Sequence, residues 1–344
     1  MSRPTVHDIA RAAGVSLATV DRVLNARPGV RAKTVARVQA AVAELGYTRD
    51  VSAANLARQR RYRFAFVLPE GGSQFLAGLA DAVAEAAPRL LEERCEVKVL
   101  RMNLDDPLVA RRAALQLGDG RIDGVAIMAN ETPTARDLIV RLKERKVSVV
   151  SLVTDQPYAP RDHFVGIDNV AAGRTAGVLM GRFVGPRPGR IAMIVSTMLA
   201  RDMVQRRFGF DAVMARDFPH LAPLASVEGH DDRERTARVT AACLDAHPDI
   251  VGLYCLGAGT SGVTRAIAER GLAGRIVVIA HELTPHTRAA LTDGVLDVVI
   301  TQNTGHLVRS ATRVLRAQCD GTEVIPSQER IRIDIVLREN LAAM

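Results

Sequence analysis

The sequence predicts a two-part molecule, a small all-α head followed by an α/β body of two doubly wound parallel sheets. Charge gives the first division. Residues 1–63 carry twelve Lys/Arg against four Asp/Glu, which is the whole formal net charge of +8, while the remaining 281 residues carry 34 of each. Periodicity gives the second, because apolar residues recur at helical spacing up to Leu45 and as short runs alternating with helical stretches beyond Arg63. Strand number gives the third. Roughly ten apolar runs are too many for one modest sheet, so the body divides into two lobes. The expected boundaries are 1–48 for the head, 49–62 for a basic tether and 63–344 for the body.

At 344 residues with 48% hydrophobic and 24% charged residues, the chain has the composition of an ordinary folded protein. No apolar run approaches the ~18 residues of a membrane span. The start, MSRPTVHDIARAAG, has no apolar stretch before a small-residue cleavage site, so export is not expected and the cytoplasm is. Cys95, Cys243, Cys255 and Cys319 are far apart and match no zinc or redox spacing, which fits buried thiols. No metal and no cofactor is expected. A basic head on a neutral body implies one module that meets a polyanion and another with a separate task.

In the head, Thr5 and Asp8 form an acidic variant of a capping box. Ile9, Ala10 and Ala13 follow at helical spacing, and Gly14 supplies a left-handed stop. Ser16 caps a second helix from Leu17 to about Leu24. On it Val20, Val23 and Leu24 face a core, while Leu17, Ala18, Asp21, Arg22 and Asn25 face out. Arg27-Pro28-Gly29 turns into a third helix near Lys33–Leu45, with an apolar stripe of Val35, Val38, Val42 and Leu45. Gly46 and Tyr47 end it. Two short helices joined by a glycine-containing turn and braced by a third make a helix-turn-helix layout. A three-helix cap that merely packs on the body is the plainer reading. It leaves unexplained an outer face of Thr19, Arg22 and Asn25, residue types that bond base edges or phosphates.

After Tyr47 the chain reads Thr48-Arg49-Asp50-Val51-Ser52-Ala53-Ala54-Asn55-Leu56-Ala57-Arg58-Gln59-Arg60-Arg61. A short helix here holds one large apolar residue, Leu56, beside clustered arginines, a composition suited to minor-groove entry with an apolar wedge. The strings VHDIARAAGVSLATVDRVLN, RPGVRAKTVARVQAAVAELGY and AANLAR resemble the head and hinge of the lactose-repressor (LacI/GalR) regulators. That resemblance implies a homodimer on a palindromic DNA operator, with helix two in the major groove and the hinge leucine in the minor groove. By position it implies base or phosphate roles for Thr5, Ser16, Leu17, Ala18, Thr19, Arg22, Asn25, Tyr47, Asn55 and Leu56. Asp21 stands where the family usually has Ser. A carboxylate near phosphates is repulsive unless it accepts from cytosine N4 or pairs with Arg22.

In the body, apolar runs at Phe64–Leu68, Val97–Leu100, Val125–Met128, Val147–Val153, Ile191–Val195, Ile250–Leu256, Ile276–Ala280 and Leu296–Ile300 read as strands, and Arg330–Leu337 as a strand-like end. Leu76–Leu91, Pro107–Leu117 and Thr304–Ala317 read as covering helices. Near-continuous apolar strands between helices mean parallel sheets buried on both faces, with ligands at the strand C-termini. The resemblance implies a bilobal body like the periplasmic sugar-binding proteins, carried by LPEGGSQF, IMANETP, VGIDNVAAGRTA, RDMVQRRFGF, GLYCLGAG, VIAHEL and ITQN. It implies effector contacts at Ser73, Phe75, Asn130, Asp155, Arg206, His281 and Gln302, residues suited to a sugar-like polyhydroxylated ligand. His281 and the polar Gly229-His230-Asp231-Asp232 depart from the family pattern, which points to a polyol, a cyclitol or an acidic sugar over an ordinary hexose. The whole then reads as an effector-controlled repressor and not an enzyme. The alternative is a dinucleotide-dependent enzyme, because Gly257-Ala-Gly259-Thr-Ser-Gly262 fits G-x-G-x-x-G after a strand.

Overall fold

Among the described residues the head holds three helices, α1 (Val6–Ala13), α2 (Leu17–Leu24) and α3 (Ala32–Glu44). The structure is a computed structural model that describes residues 4–25, 27–47, 59–257 and 259–341. It divides into one unit ending at Arg60 and a second beginning at Arg61. Asp8 accepts from the Thr5 backbone N–H at 2.9 Å and the Thr5 hydroxyl at 2.7 Å, which fixes the first turn of α1. Gly14, at φ 60°, ends that helix in the left-handed region, and the Val15 N–H returns to the Ala10 carbonyl at 3.0 Å. Ser16 Oγ accepts from the Thr19 N–H at 3.2 Å and caps α2. Ile9, Ala13, Val20, Val38 and Ala41 bury a small core, ringed by Val23, Leu24, Val42, Leu45 and Tyr47. Arg37 of α3 donates to the Ala13 and Gly14 carbonyls, tying the third helix to the turn. The expected hinge helix, with Asn55 and Leu56, lies outside the described residues.

The first lobe of the body is built on β1 (Tyr62–Leu68), β2 (Cys95–Arg101), β3 (Gly124–Ile127), β4 (Ser148–Leu152) and β5 (His163–Val165). They form an all-parallel sheet in the order β2-β1-β3-β4-β5. Alternation along β1 shows why both faces are covered. Phe64, Phe66 and Leu68 enter one apolar cluster, and Ala65 and Val67 enter another on the opposite face. The helices of this stretch are α4 (Gln74–Glu92), α5 (Pro107–Leu117) and α6 (Pro133–Glu144).

The second lobe holds β6 (Gly189–Val195), β7 (Leu221–Glu228), β8 (Ile250–Cys255), β9 (Val277–His281), β10 (Val298–Thr301) and β11 (Asp334–Val336), in the order β11-β10-β9-β8-β6-β7. All pairings are parallel except β10 with β11. Its helices are α7 (Asn169–Val184), α8 (Arg201–Asp217), α9 (Arg233–Ala246), α10 (Thr260–Glu269) and α11 (Pro285–Thr292). One more helix, α12 (Thr304–Asp320), leaves this lobe and packs back on the first sheet, where Asp320 accepts from the Tyr62 hydroxyl at 2.6 Å. The chain therefore passes between the lobes three times.

Two strands lack the continuous apolar run expected of them. β5 has three residues, and β7 is an edge strand that carries Pro223 opposite a register shift at Ile191/Met193. An edge tolerates proline because one side of the strand needs no ladder bond. Among the described residues no helix is long and apolar enough to cross a membrane.

Candidate functional site

The head presents one solvent face from α2. Leu17 (41% exposed), Ala18, Asp21 and Arg22 lie open, while Thr19 is half-buried and bonded to Ser16 Oγ through its hydroxyl at 2.9 Å. Asn25 is also half-buried, with its Nδ2 donating to the Asp21 carbonyl and Oδ1, both at 2.7 Å. Pairing with Arg22 was one of the two roles open to Asp21, acceptance from cytosine N4 being the other. Asp21 pairs instead with Arg27 at 3.4 Å, which leaves the exposed Arg22 guanidinium clear of it. Thr5 sits at the start of α1 and Tyr47 against the head core, both on the same small unit.

In the body, the strand C-termini of both sheets open on a cleft of about 900 Å³. Its walls are the loops after β1, β2, β3 and β4 on one side and after β6, β7, β8 and β9 on the other. The lobes touch across it. Glu131 pairs with Arg201 at 3.1 Å, the Glu131 N–H donates to the Leu199 carbonyl at 3.1 Å, and the His286 N–H donates to Gln74 Oε1 at 3.1 Å.

Arg206, 1% exposed, is the centre of the second-lobe wall. Its Nε donates to Asn169 Oδ1 at 2.9 Å and its Nη1 to the Leu256 carbonyl at 2.6 Å, joining the start of α7 to the end of β8. Nη2 has no hydrogen-bond partner among the described residues, with Glu282 at 3.6 Å and Asp202 at 3.9 Å. Close helix packing fixes this side chain from behind. A Cβ on Gly173 would fall 2.0 Å from the Arg206 carbonyl oxygen, and one on Gly209 would fall 2.1 Å from that of Val170. Only glycine lets α7 and α8 approach so closely.

His281, 2% exposed, bonds through Nε2 to the Tyr254 hydroxyl at 2.7 Å, and its Nδ1 has no hydrogen-bond partner among the described residues. Burial, then the Arg206 charge, hold its pKa well below the ordinary histidine value, so the ring is neutral. Burial raises the neighbouring Glu282 carboxyl, with Arg206 opposing. Asp231 is open to the solvent of the cleft yet surrounded by its concave wall. Desolvation, then the Asp202 carboxylate, push it up to about 6. Of seven non-glycine residues with positive φ among those described, four line this cleft: Val153, His230, Asp231 and Glu282. Such strain, about 1–3 kcal/mol each, persists where the surroundings impose it, and it collects at ligand sites.

Of the expected effector contacts, Ser73, Phe75, Asn130, Arg206 and His281 line the cleft. Asp155 and Gln302 do not. The turn after β4 aims Asp155 at Arg161, which forks onto both carboxylate oxygens. Gln302 is buried behind the wall and donates to Glu282 Oε1 at 2.8 Å. Both act on neighbours of the cleft. The sequence reading passed over Asp105, which accepts from Asn130 Nδ2 at 2.7 Å, and Gln156, whose Nε2 holds the Ala129 and Asn130 carbonyls at 2.8 and 3.1 Å. It also missed Asp202, although its place four residues before Arg206 on one helix is a signal for an ion pair. In the glycine-rich loop, protein atoms crowd two of the glycines. A Cβ on Gly257 would meet Met203, and one on Gly262 would meet the α9 backbone at Arg233 and Ala237, so these glycines serve helix packing.

The comparisons agree with both parts. Residues 5–50 match the bacterial regulatory proteins of the lacI family, and residues 64–323 match the periplasmic binding protein domain. The transcriptional regulator DegA of Bacillus subtilis is 29% identical over 51% of this chain, and the match spans half of DegA's own length. The maltose regulon regulatory protein MalI of Escherichia coli is 28% identical over 73% of this chain and 71% of MalI. Among solved structures, a glucose-galactose binding protein from Geobacillus stearothermophilus superposes with a TM-score of 0.73 at 19% identity, covering 83% of this chain and all of that one. A solute-binding protein from Burkholderia graminis in complex with D-arabinose gives 0.73 at 20% identity over 82% and 97% of the two chains. At such identities these structures establish the fold. Head, body and their order along the chain together place this protein in the lacI family of bacterial regulatory proteins, with a periplasmic-binding-protein-like body behind a helix-turn-helix head.

Proposed function

We propose that this chain is a cytoplasmic transcriptional repressor that binds a palindromic operator as a homodimer and releases or tightens on it when a small polyhydroxylated effector enters the cleft. The observation that carries the effector half is Arg206 Nη2, buried on the cleft wall without a hydrogen-bond partner. An unpaired buried donor costs free energy that a ligand hydroxyl recovers. The DNA half is supported by the exposed α2 face with its clear Arg22, on the module that holds the chain's excess positive charge. One such unit rarely binds DNA tightly alone, so two heads on paired half-sites are the expected arrangement. Lobe closure on the effector would shift the populations of two body conformations, and the segment that joins body to head would pass that shift to the heads. The direct test is a titration of the full chain on DNA upstream of its neighbouring genes, with and without sugars and polyols. A shift in affinity of about 5- to 150-fold by one of them is expected. Constant affinity across the series would remove the cleft from regulation.

A further inference from the structure

The charge of the cleft narrows the class of effector. Six carboxyl groups line it, from Glu70, Asp105, Asp202, Asp231, Asp232 and Glu282, against the two guanidinium groups of Arg206 and Arg233. Of the three histidines on the cleft, burial depresses His281 and His286 toward the neutral ring, and His230 lies 3.4 Å from the carboxylate of Glu228. Several carboxylates are already engaged. Asp232 caps α9 by accepting from the Arg235 N–H at 2.6 Å, Asp105 holds Asn130, and Glu282 is held by Gln302. Asp202 and Asp231 differ from these. Neither accepts a hydrogen bond among the described residues, and the cation nearest Asp202 is Arg206 Nη2 at 3.9 Å. Asp202 is only 4% exposed, and a carboxylate so deep without donors is costly. The two line the same cleft, where burial and then Asp202 disfavour the charge on Asp231 and His230 opposes them.

An anionic sugar would enter beside Asp202, Asp231 and Glu282, with an arginine already flanked by two of them. A neutral polyol would leave the Asp202–Asp231 repulsion in place. An ammonium group supplies three N–H donors and one positive charge, which answers both deficits. The unpaired Arg206 Nη2 and His281 Nδ1 remain for hydroxyl groups of the same molecule. Resting on the effector reading above, the geometry points to an amino sugar or amino polyol as the effector, its protonated amine seated between Asp202 and Asp231 and its hydroxyls on Arg206 and His281.

Matched triplets of probes test this on the full chain by calorimetry: glucosamine, glucose and glucuronate; galactosamine, galactose and galacturonate; glucamine, glucitol and gluconate. In at least one triplet the amine should bind on the order of tenfold tighter than its neutral partner, the effect of one charge-assisted hydrogen bond. Asp231→Asn should bring that amine to the level of the neutral compound, and Asp231→Glu should keep part of the advantage. Asp231 is exposed, so both variants should fold, which matching thermal melts would establish. A neutral or acidic member that binds best in every triplet in which anything binds would overturn the amine while leaving the cleft as the effector site. Failure of all nine compounds would count against both the amine and the sugar-like effector.

Discussion

Arg206 has a structural task besides the ligand contact proposed for its Nη2, and truncation would confuse the two. It holds Asn169 and the Leu256 carbonyl while offsetting Asp202 and Glu282. Arg206→Ala should therefore destabilise the fold by about 3–5 kcal/mol, the cost of leaving buried charges uncompensated. Arg206→Lys keeps the charge and loses the fork, so it should retain more stability and still lose effector response. Urea denaturation beside a reporter assay separates the two, and an unchanged midpoint for the alanine variant would show the buried network to be idle. His281 gives a pH signature. The folded ring refuses a proton that the unfolded chain takes up near pH 6.5, so stability is level above that pH and falls as the pH drops below it, by up to about 1.4 kcal/mol per unit. His281→Gln should flatten that part of the profile. Parallel slopes for the two proteins would place the histidine in a polar setting. Arg206 and His281, named from the strings they stand in, line the cleft, whereas Asp155 and Gln302, named in the same way, do not. Whether a residue at a strand end faces the cleft depends on the turn after it, and the backbone after β4 hands Asp155 to Arg161.

The elements legible in the sequence were those with a regular apolar pattern, whether a continuous run or a helical stripe. Buried strands such as β1, β4 and β8 read directly as apolar runs, and Pro107 opens α5 just where proline is welcome at a first turn. The edge strand β7 was not legible, because half of it faces solvent and a proline interrupts it. Nor was the α7–α8 seam, since glycine in a sequence does not say what approaches it. That seam makes a prediction of its own. Gly173→Ala places a methyl 2.0 Å from the Arg206 carbonyl oxygen, so α7 and α8 must part. A stability loss of about 1–3 kcal/mol is expected, with weaker effector binding although residue 173 is not among the cleft-lining residues. Thermal melts and calorimetry check it, and wild-type values in both would mean the helices separate without cost. For the hinge, Leu56→Ala should lower affinity for specific DNA while leaving salt-driven binding to random DNA nearly intact, as expected of a wedge that acts only on a bent site. Equal losses on both DNAs would reduce the segment to a charged linker.

At the scale of the whole molecule, the division into head and body follows from charge alone. The +8 collected by residue 63 has no counterpart in the rest of the chain, and the structure divides three residues earlier, between Arg60 and Arg61. Bilobality was legible from strand count. The return of α12 to the first sheet was not, because an amphipathic helix does not name the sheet it will cover. Whether the head reads a symmetric operator through α2 is answered by selection of binding sites from random DNA by the full chain. The selected sequences should converge on a palindrome, and Arg22→Ala should lower affinity by about 1–3 kcal/mol and relax one base position in each half-site. Enrichment of asymmetric sequences, or an Arg22→Ala protein with wild-type preference and affinity, would contradict the account.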